Sequence, residues 1–317
     1  MRLLITGAAG FIGREFCALA EARGHVLRRV LRRAPEVLAG EVVVADLEAA
    51  PDLAGAMAGV DVVVHLAARV HRMREDVADV EAAYHAANVA VTQRLAEQAA
   101  AAGVRRFVLI SSVKAQAERS PGRALTETDV AAPEDAYGRS KLAAEQALQA
   151  VAEAQGMEWV VLRPVLVLGP GAAGNVARLL RLVERGVPLP LGRVRAQRSL
   201  LNVWNFADLI ERCCVLPAAA GQCFLAADCR VDTPGLVRAL AQALGRSARL
   251  LPVPLSCLRL LACLPGGRAA LARLTGELVV DAGLAMSRLG WLPAVTLEEA
   301  LQRMVMARRE QLEGNRR

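Results

Sequence analysis

The sequence predicts an α/β fold: a doubly wound, mainly parallel sheet with a smaller, mostly C-terminal lobe. Three observations carry that prediction. Short apolar runs alternate with segments of helical period through the first half of the chain, the pattern of strands covered by helices. A glycine-punctuated turn, TGAAGFIG, joins the first strand-like run to the first helix-like one. After Pro164 the rhythm changes to loops marked by Gly and Pro and to shorter helices.

Taken in order, strands are expected at Arg2–Thr6, Val26–Leu31, Val42–Ala45, Val62–Ala67, Phe107–Ser111 and Trp159–Arg163. Helices are expected at Phe11–Ala22, Leu53–Ala58, Val77–Ala102 and Tyr137–Gln155. Beyond them, Val176–Arg185 and Pro234–Leu244 read as shorter helices. Residues 1–165 form the first unit, and 203–227 return to complete it; 166–202 and 228–317 form the lobe. In such sheets ligands bind beyond the carboxyl ends of the strands.

Composition narrows the function classes. The 317 residues are 54% hydrophobic but only 3% aromatic, so the core is built from Ala, Val and Leu. The chain opens directly on MRLLITG, and no apolar run reaches the roughly eighteen residues a bilayer span needs, so a cytoplasmic protein without a membrane partner is expected. Seven scattered cysteines contain no CxxC pair and suit reduced, mostly buried thiols. Four dispersed histidines give no metal-ligand spacing. The net charge of +7 is spread along the chain with few aromatics to stack bases, which argues against nucleic acid and is met in part by an anionic small ligand.

The glycine turn places Gly7, Gly10 and Gly13 between a strand and a helix. Glycine there permits a tight turn and close approach of backbone to a pyrophosphate, and the helix N-terminus favours the phosphate charge. The turn therefore predicts a dinucleotide site. The second strand ends in RRVLRR, where Arg32 and Arg33 suit the 2′-phosphate of NADP(H), with NAD(H) the alternative.

The stretch DAYGRSKLAAE, Asp135 to Glu145, holds one of only two tyrosines and one of only two lysines, against 37 arginines. Tyr137 and Lys141 stand one helical turn apart on one face. A Tyr acts as acid and base toward an alcohol or ketone when its pKa falls below about 10, and a neighbouring ammonium favours that. A compact Lys also serves as a point donor to a ribose, a role that the planar fork of Arg fills poorly. Upstream, FVLISSV ends a strand on Ser111 and Ser112.

With its GxxGxxG turn and YxxxK pair, the chain resembles the extended short-chain dehydrogenase/reductase family, whose nucleotide domain is Rossmann-like and whose members include nucleotide-sugar epimerases, dehydratases and reductases. HLAA at His65–Ala68, Asn88 in NVAVT, LRP at Leu162–Pro164 and GPG at Gly169–Gly171 extend the resemblance from residue 2 to about residue 301. It implies catalysis by Ser112, Tyr137 and Lys141. It implies cofactor contacts from Gly7, Gly10, Phe11, Ile12, Gly13, Asp46, Leu47, Leu66, Ala67, Ala68 and Pro164, with Asp46-Leu47 beside the adenine. Asn175, Arg198 and, more loosely, Arg268 match positions that hold a sugar-nucleotide diphosphate in the substrate-binding lobe. His65 and Asn88 read as structural. Where 4,6-dehydratases carry Asp-Glu, this chain has Val113-Lys114 after Ser112, so dehydration lacks its acid and base.

The expected chemistry is hydride and proton transfer at C4 of a nucleoside-diphosphate sugar, most similar to the UDP-glucose 4-epimerase-like subgroup, as 4-epimerase or 4-ketoreductase. That subgroup's bacterial members often serve surface-polysaccharide synthesis, the role the resemblance implies here. A homodimer through the two long helices is a family-level expectation. The alternative from another class is a non-catalytic nucleotide-binding or assembly factor on the same fold.

Overall fold

Val- and Leu-rich runs with no polar face can be strands only if both faces are covered, and that is how they pair. The computed structural model describes residues 1–33, 41–70, 79–172, 174–261 and 275–314. Its main sheet has seven strands: β1 (Arg2–Thr6), β2 (Val26–Leu31), β3 (Glu41–Val44), β4 (Val62–His65), β5 (Arg106–Ile110), β6 (Glu158–Pro164) and β9 (Gln222–Ala226). Their order is β3-β2-β1-β4-β5-β6-β9, and every neighbouring pair runs parallel.

Side-chain alternation sorts the core into two layers. Leu3, Ile5, Val62, Val64, Val108 and Ile110 face α1 (Phe11–Ala22) and α7 (Val203–Val215) through Phe16, Phe206 and Ile210. Leu4, Val63, Phe107, Leu109 and Val161 face α4 (Val91–Ala101) and α5 (Ala136–Gln155) through Leu95, Ala96, Ala144 and Leu148. Each such side chain, fully buried, contributes about 1.5–3 kcal/mol over leaving it in water.

Three expectations are corrected. The helix foreseen as one continuous rod at Val77–Ala102 carries a π-helical segment, His85–Ala90, between α3 (Val80–Tyr84) and α4. Short segments after Pro164 include strands that helix-period reading passed over: β7 (Leu166–Leu168), β8 (Gln197–Asn202) and β10 (Cys229–Asp232) form a second sheet in the order β10-β8-β7. The strands expected to reach Ala67 and Ser111 end at His65 and Ile110, so His65-to-Ala68 and Ser111-Ser112 begin loops at the carboxyl edge. Of the six described cysteines, Cys17, Cys213 and Cys214 are buried and Cys257 is exposed.

Candidate active site

Strand order reverses direction of growth between β1 and β4, and the crevice beyond that point is built by the glycine turn and the HLAA loop. Gly7 has φ +71°, and a Cβ there would lie 2.7 Å from Ala67 N. A Cβ on Gly13 would lie 2.2 Å from the Gly7 carbonyl oxygen. The turn thus closes on itself and on Leu66–Ala67, leaving a cradle that any side chain would fill. Gly10 N donates to Gly7 O at 2.9 Å, and α1 begins at Phe11 with no side-chain cap on its first N–H groups. These residues fit a dinucleotide pyrophosphate. Gly169 packs so close to Phe11 that a Cβ would sit 2.8 Å from its ring, joining the GPG loop to the same turn. Ala68 continues the HLAA loop, Ile12 packs against the core layer of α1, and Pro164 is buried at the end of β6.

At the end of β2, Arg32 does not stand alone. Its Nη2 lies 3.5 Å from Glu48 Oε1, and its Nε lies 4.0 Å from Asp46 Oδ1. Reading the chain linearly did not pair these acids with Arg32, but the parallel β2–β3 pairing brings the turn Leu47–Ala49 beside it. Part of the positive charge assigned to a 2′-phosphate is therefore already met. Arg33 is exposed.

The catalytic candidates are held by α5. Asp135 caps the helix, its Oδ1 accepting from Gly138 N at 2.7 Å. Its Oδ2 accepts from Lys114 Nζ at 2.6 Å, so the chain's other lysine pins the helix start to the loop after β5. Gly138 is required there, since a Cβ would lie 2.4 Å from Lys114 O. Lys114 also binds Glu118 at 2.9 Å and is committed to this clamp.

Tyr137, Lys141 and Glu145 follow at one-turn intervals on one face of α5, and each meets the end of β5. The hydroxyls of Tyr137 and Ser112 share a hydrogen bond. Lys141 Nζ donates to Ile110 O at 2.7 Å. Ser111 Oγ donates to Glu145, which also takes Arg163 Nη2 at 2.6 Å and Nε at 3.1 Å.

Burial overrides the sequence-based expectation of a lowered phenol pKa. Tyr137 keeps some surface open, yet burial pushes its phenol up to about 12 against the lowering by Ser112. Burial likewise brings Lys141 down to about 8, with Glu145 opposing the fall. The Lys141 ammonium is bonded to the Ile110 carbonyl, and for the phenol burial outweighs the lowering by Ser112. In this state Tyr137 is a neutral proton donor.

His65, 1% exposed, shares a 2.6 Å hydrogen bond through Nδ1 with Thr6 Oγ1. Burial, then the Lys141 charge, lowers it to about 3. The unfolded chain binds a proton to this His below about pH 6.5 and the folded chain does not. Stability that is present above pH 6.5 is thus lost as pH falls toward 3. Chemical denaturation at pH 7 and pH 5 should show a smaller acid loss for His65→Asn than for the native chain.

Asn88 sits in the π-helical segment and ties three elements together. It accepts from Arg69 N at 2.8 Å and donates to Arg69 O at 3.1 Å and Ser140 Oγ at 2.9 Å. These bonds hold the loop after β4 against α5. Sequence reasoning missed Tyr84, whose ring lies 5.9 Å from that of Tyr137 under the Arg69 guanidinium, and it missed Glu145 and Arg163. The signal for Glu145 was present, four residues after Lys141 in the same stretch.

In the lobe, Arg198 lies part-buried on β8, opposite Val231, and burial lowers its hold on its proton. Asn175 opens the helix Asn175–Glu184, and Arg268 lies outside the described residues. A cavity of about 260 Å³ lined by Arg195, Ala196, Leu255 and Glu277 opens beside the start of β8. Among the described residues, no helix is long and apolar enough to cross a membrane.

The model of the NAD dependent epimerase/dehydratase family matches residues 3–221. A protein of Vibrio cholerae described as UDP-glucose 4-epimerase is 39% identical over 310 residues, covering 96% of this chain and 94% of that one. A dTDP-6-deoxy-L-talose 4-dehydrogenase (NAD(P)(+)) of Kitasatospora kifunensis is 28% identical over 317 residues, covering 96% and 94%. Among solved structures, MoeE5 in complex with UDP-glucose and NAD superposes with a TM-score of 0.79 at 26% identity, covering 98% of this chain and 100% of that one. UDP-glucuronic acid 4-epimerase from Bacillus cereus in complex with NAD gives 0.79 at 21% identity over 99% and 98%, a likeness of fold.

Proposed function

The chain belongs to the NAD dependent epimerase/dehydratase family, and on that premise we propose that it is a 4-epimerase of a UDP-linked hexose or N-acetylhexosamine, with Ser112, Tyr137 and Lys141 as its catalytic residues. The observation that carries the reading is the Ser112–Tyr137 hydrogen bond, with Lys141 one turn away, at the carboxyl edge beside the glycine cradle. The 39% identity to the Vibrio cholerae protein supports the epimerase form.

When bound, the nicotinamide supplies a reversible hydride acceptor, so hydride taken from C4 and returned to the opposite face inverts that carbon. Ser112 orients the C4 oxygen toward Tyr137. Tyr137 takes the hydroxyl proton on oxidation and returns it on reduction. For the first half-step the phenol must release a proton it holds tightly in this structure, and the Lys141 ammonium one turn away favours that release. Arg198 and Asn175 are the diphosphate-binding candidates in this reading, a guanidinium gripping phosphate through paired hydrogen bonds.

The 4-ketoreductase reading draws on Arg32 and Arg33, which suit NADP(H). The Glu48 and Asp46 carboxylates beside Arg32 favour NAD(H) instead. An exposed pair of this kind is worth about 0–1 kcal/mol. Glu48→Gln should therefore strengthen NADPH binding by less than about tenfold, while leaving NADH binding unchanged, in fluorescence titrations. No gain for NADPH would remove Glu48 from cofactor selection.

Purification without added cofactor, followed by denaturation and chromatography of what is released, tests the main reading. Stoichiometric NAD together with interconversion of UDP-glucose and UDP-galactose, or of their N-acetyl forms, is the expected result. An empty site that turns over only 4-keto sugars with NADPH would replace it by the reductase. A role in surface-polysaccharide precursor synthesis and a homodimer through Val80–Ala101 and α5 belong to the same proposal; light scattering in solution tests the second.

A further inference from the structure

Ile110, the last residue of β5, and the two serines after it are each bonded to one of three neighbouring turns of α5. Ser112 meets Tyr137, Ile110 meets Lys141, and Ser111 meets Glu145. The first two contacts belong to the catalytic candidates. The third lies beneath them and is the most strongly anchored, because Glu145 is also bound to Arg163 of β6. Arg163 in turn donates through Nη1 to Gln116 Oε1 at 3.2 Å, and Gln116 Nε2 donates to Thr126 O at 2.6 Å and Asp129 O at 3.1 Å. Glu145 is 2% exposed, Arg163 8%, Lys141 2% and Gln116 0%.

The charges facing Lys141 are few. Tyr137 and Glu145 flank it on α5, neutral His65 faces it from β4, and Arg163 stands behind Glu145 on β6. Among the described residues, Glu145 is the only carboxylate acting on the Lys141 ammonium. A buried cation without an anion loses its proton. We propose that Glu145 is the positioning residue of this site: its carboxylate holds the β5 end against α5 through Ser111 and keeps Lys141 charged while shared with Arg163. The effect on turnover rests on the catalytic reading of Lys141, but the charge state of Lys141 does not.

The composition makes the test direct, since a chain with two lysines labelled with ¹³C at lysine Cε gives two signals. Lys114→Arg assigns them. In the native chain the Lys141 signal is expected to titrate near pH 8, while Lys114, held by Asp135 and Glu118, titrates above its ordinary range. Glu145→Gln keeps an oxygen for Ser111 but removes the charge, and the Lys141 midpoint should fall by about one pH unit or more. Arg163→Gln leaves the carboxylate to Lys141 alone, and the midpoint should rise. Glu145→Asp should move back toward the native value.

A purely structural Glu145–Arg163 pair would leave the Lys141 midpoint unmoved, or move it the same way in both variants; either result overturns the proposal. If Glu145→Gln does not fold, as judged by circular dichroism, the direction of the Arg163→Gln shift decides alone. The alkaline limb of kcat/KM should follow the Lys141 midpoint. A midpoint that moves with no change in that limb would leave the role of Glu145 intact and remove Lys141 from catalysis.

Discussion

Tyr137→Phe is expected to lower kcat by about 10²- to 10⁴-fold, the usual worth of a positioned acid or base, with melting temperature and dinucleotide affinity near native. The substitution removes one oxygen. The ring stays packed 5.9 Å from Tyr84, so the loss falls on proton transfer and on the shared hydrogen bond with Ser112. Ser112→Ala should lose less, because Ser112 orients the oxygen and Tyr137 moves the proton. Native turnover in Tyr137→Phe, measured with the sugar nucleotide that the native chain interconverts, would remove Tyr137 from the mechanism.

The second large effect is expected for Gly13→Ala. The added Cβ would lie 2.2 Å from Gly7 O and 2.8 Å from both Ala8 Cα and Ala8 O. All three are backbone atoms, so no rotamer change relieves the contact. Overpacking of this kind costs about 1–3 kcal/mol, occasionally more. Strain near 3 kcal/mol borne by the bound turn corresponds to about a hundredfold weaker dinucleotide binding. Gly55→Ala is the control: its Cβ meets nothing within 4 Å, and it lies in the short helix Ala54–Met57. There, Ala should be neutral or slightly stabilising. Equal dinucleotide affinity in Gly13→Ala and Gly55→Ala, by calorimetric titration, would mean that the glycine turn is not the cradle.

Much of this was open to a linear reading because the relevant signals are local. Short apolar-rich runs mark buried strands, and β1, β2 and α1 fall at the residues where the sequence places them. The glycine turn is legible because its constraint is backbone shape, which Gly at three fixed positions encodes. Tyr137 and Lys141 are legible because a one-turn spacing on a helix dictates a shared face. Short strands such as β7, three residues long, carry too little period to be told from loop, and their pairing partners lie tens of residues away.

By itself the sequence marked the parallel sheet, the glycine turn and the Tyr137–Lys141 pair, since each is written in neighbours along the chain. The tertiary structure alone decided what surrounds them. It set Glu48 and Asp46 against Arg32, brought Arg163 onto Glu145, and buried the phenol so that burial outweighs the lowering by Ser112. The reason is physical: the state of a charge depends on every group within a few ångströms, and folding chooses those groups from distant parts of the chain.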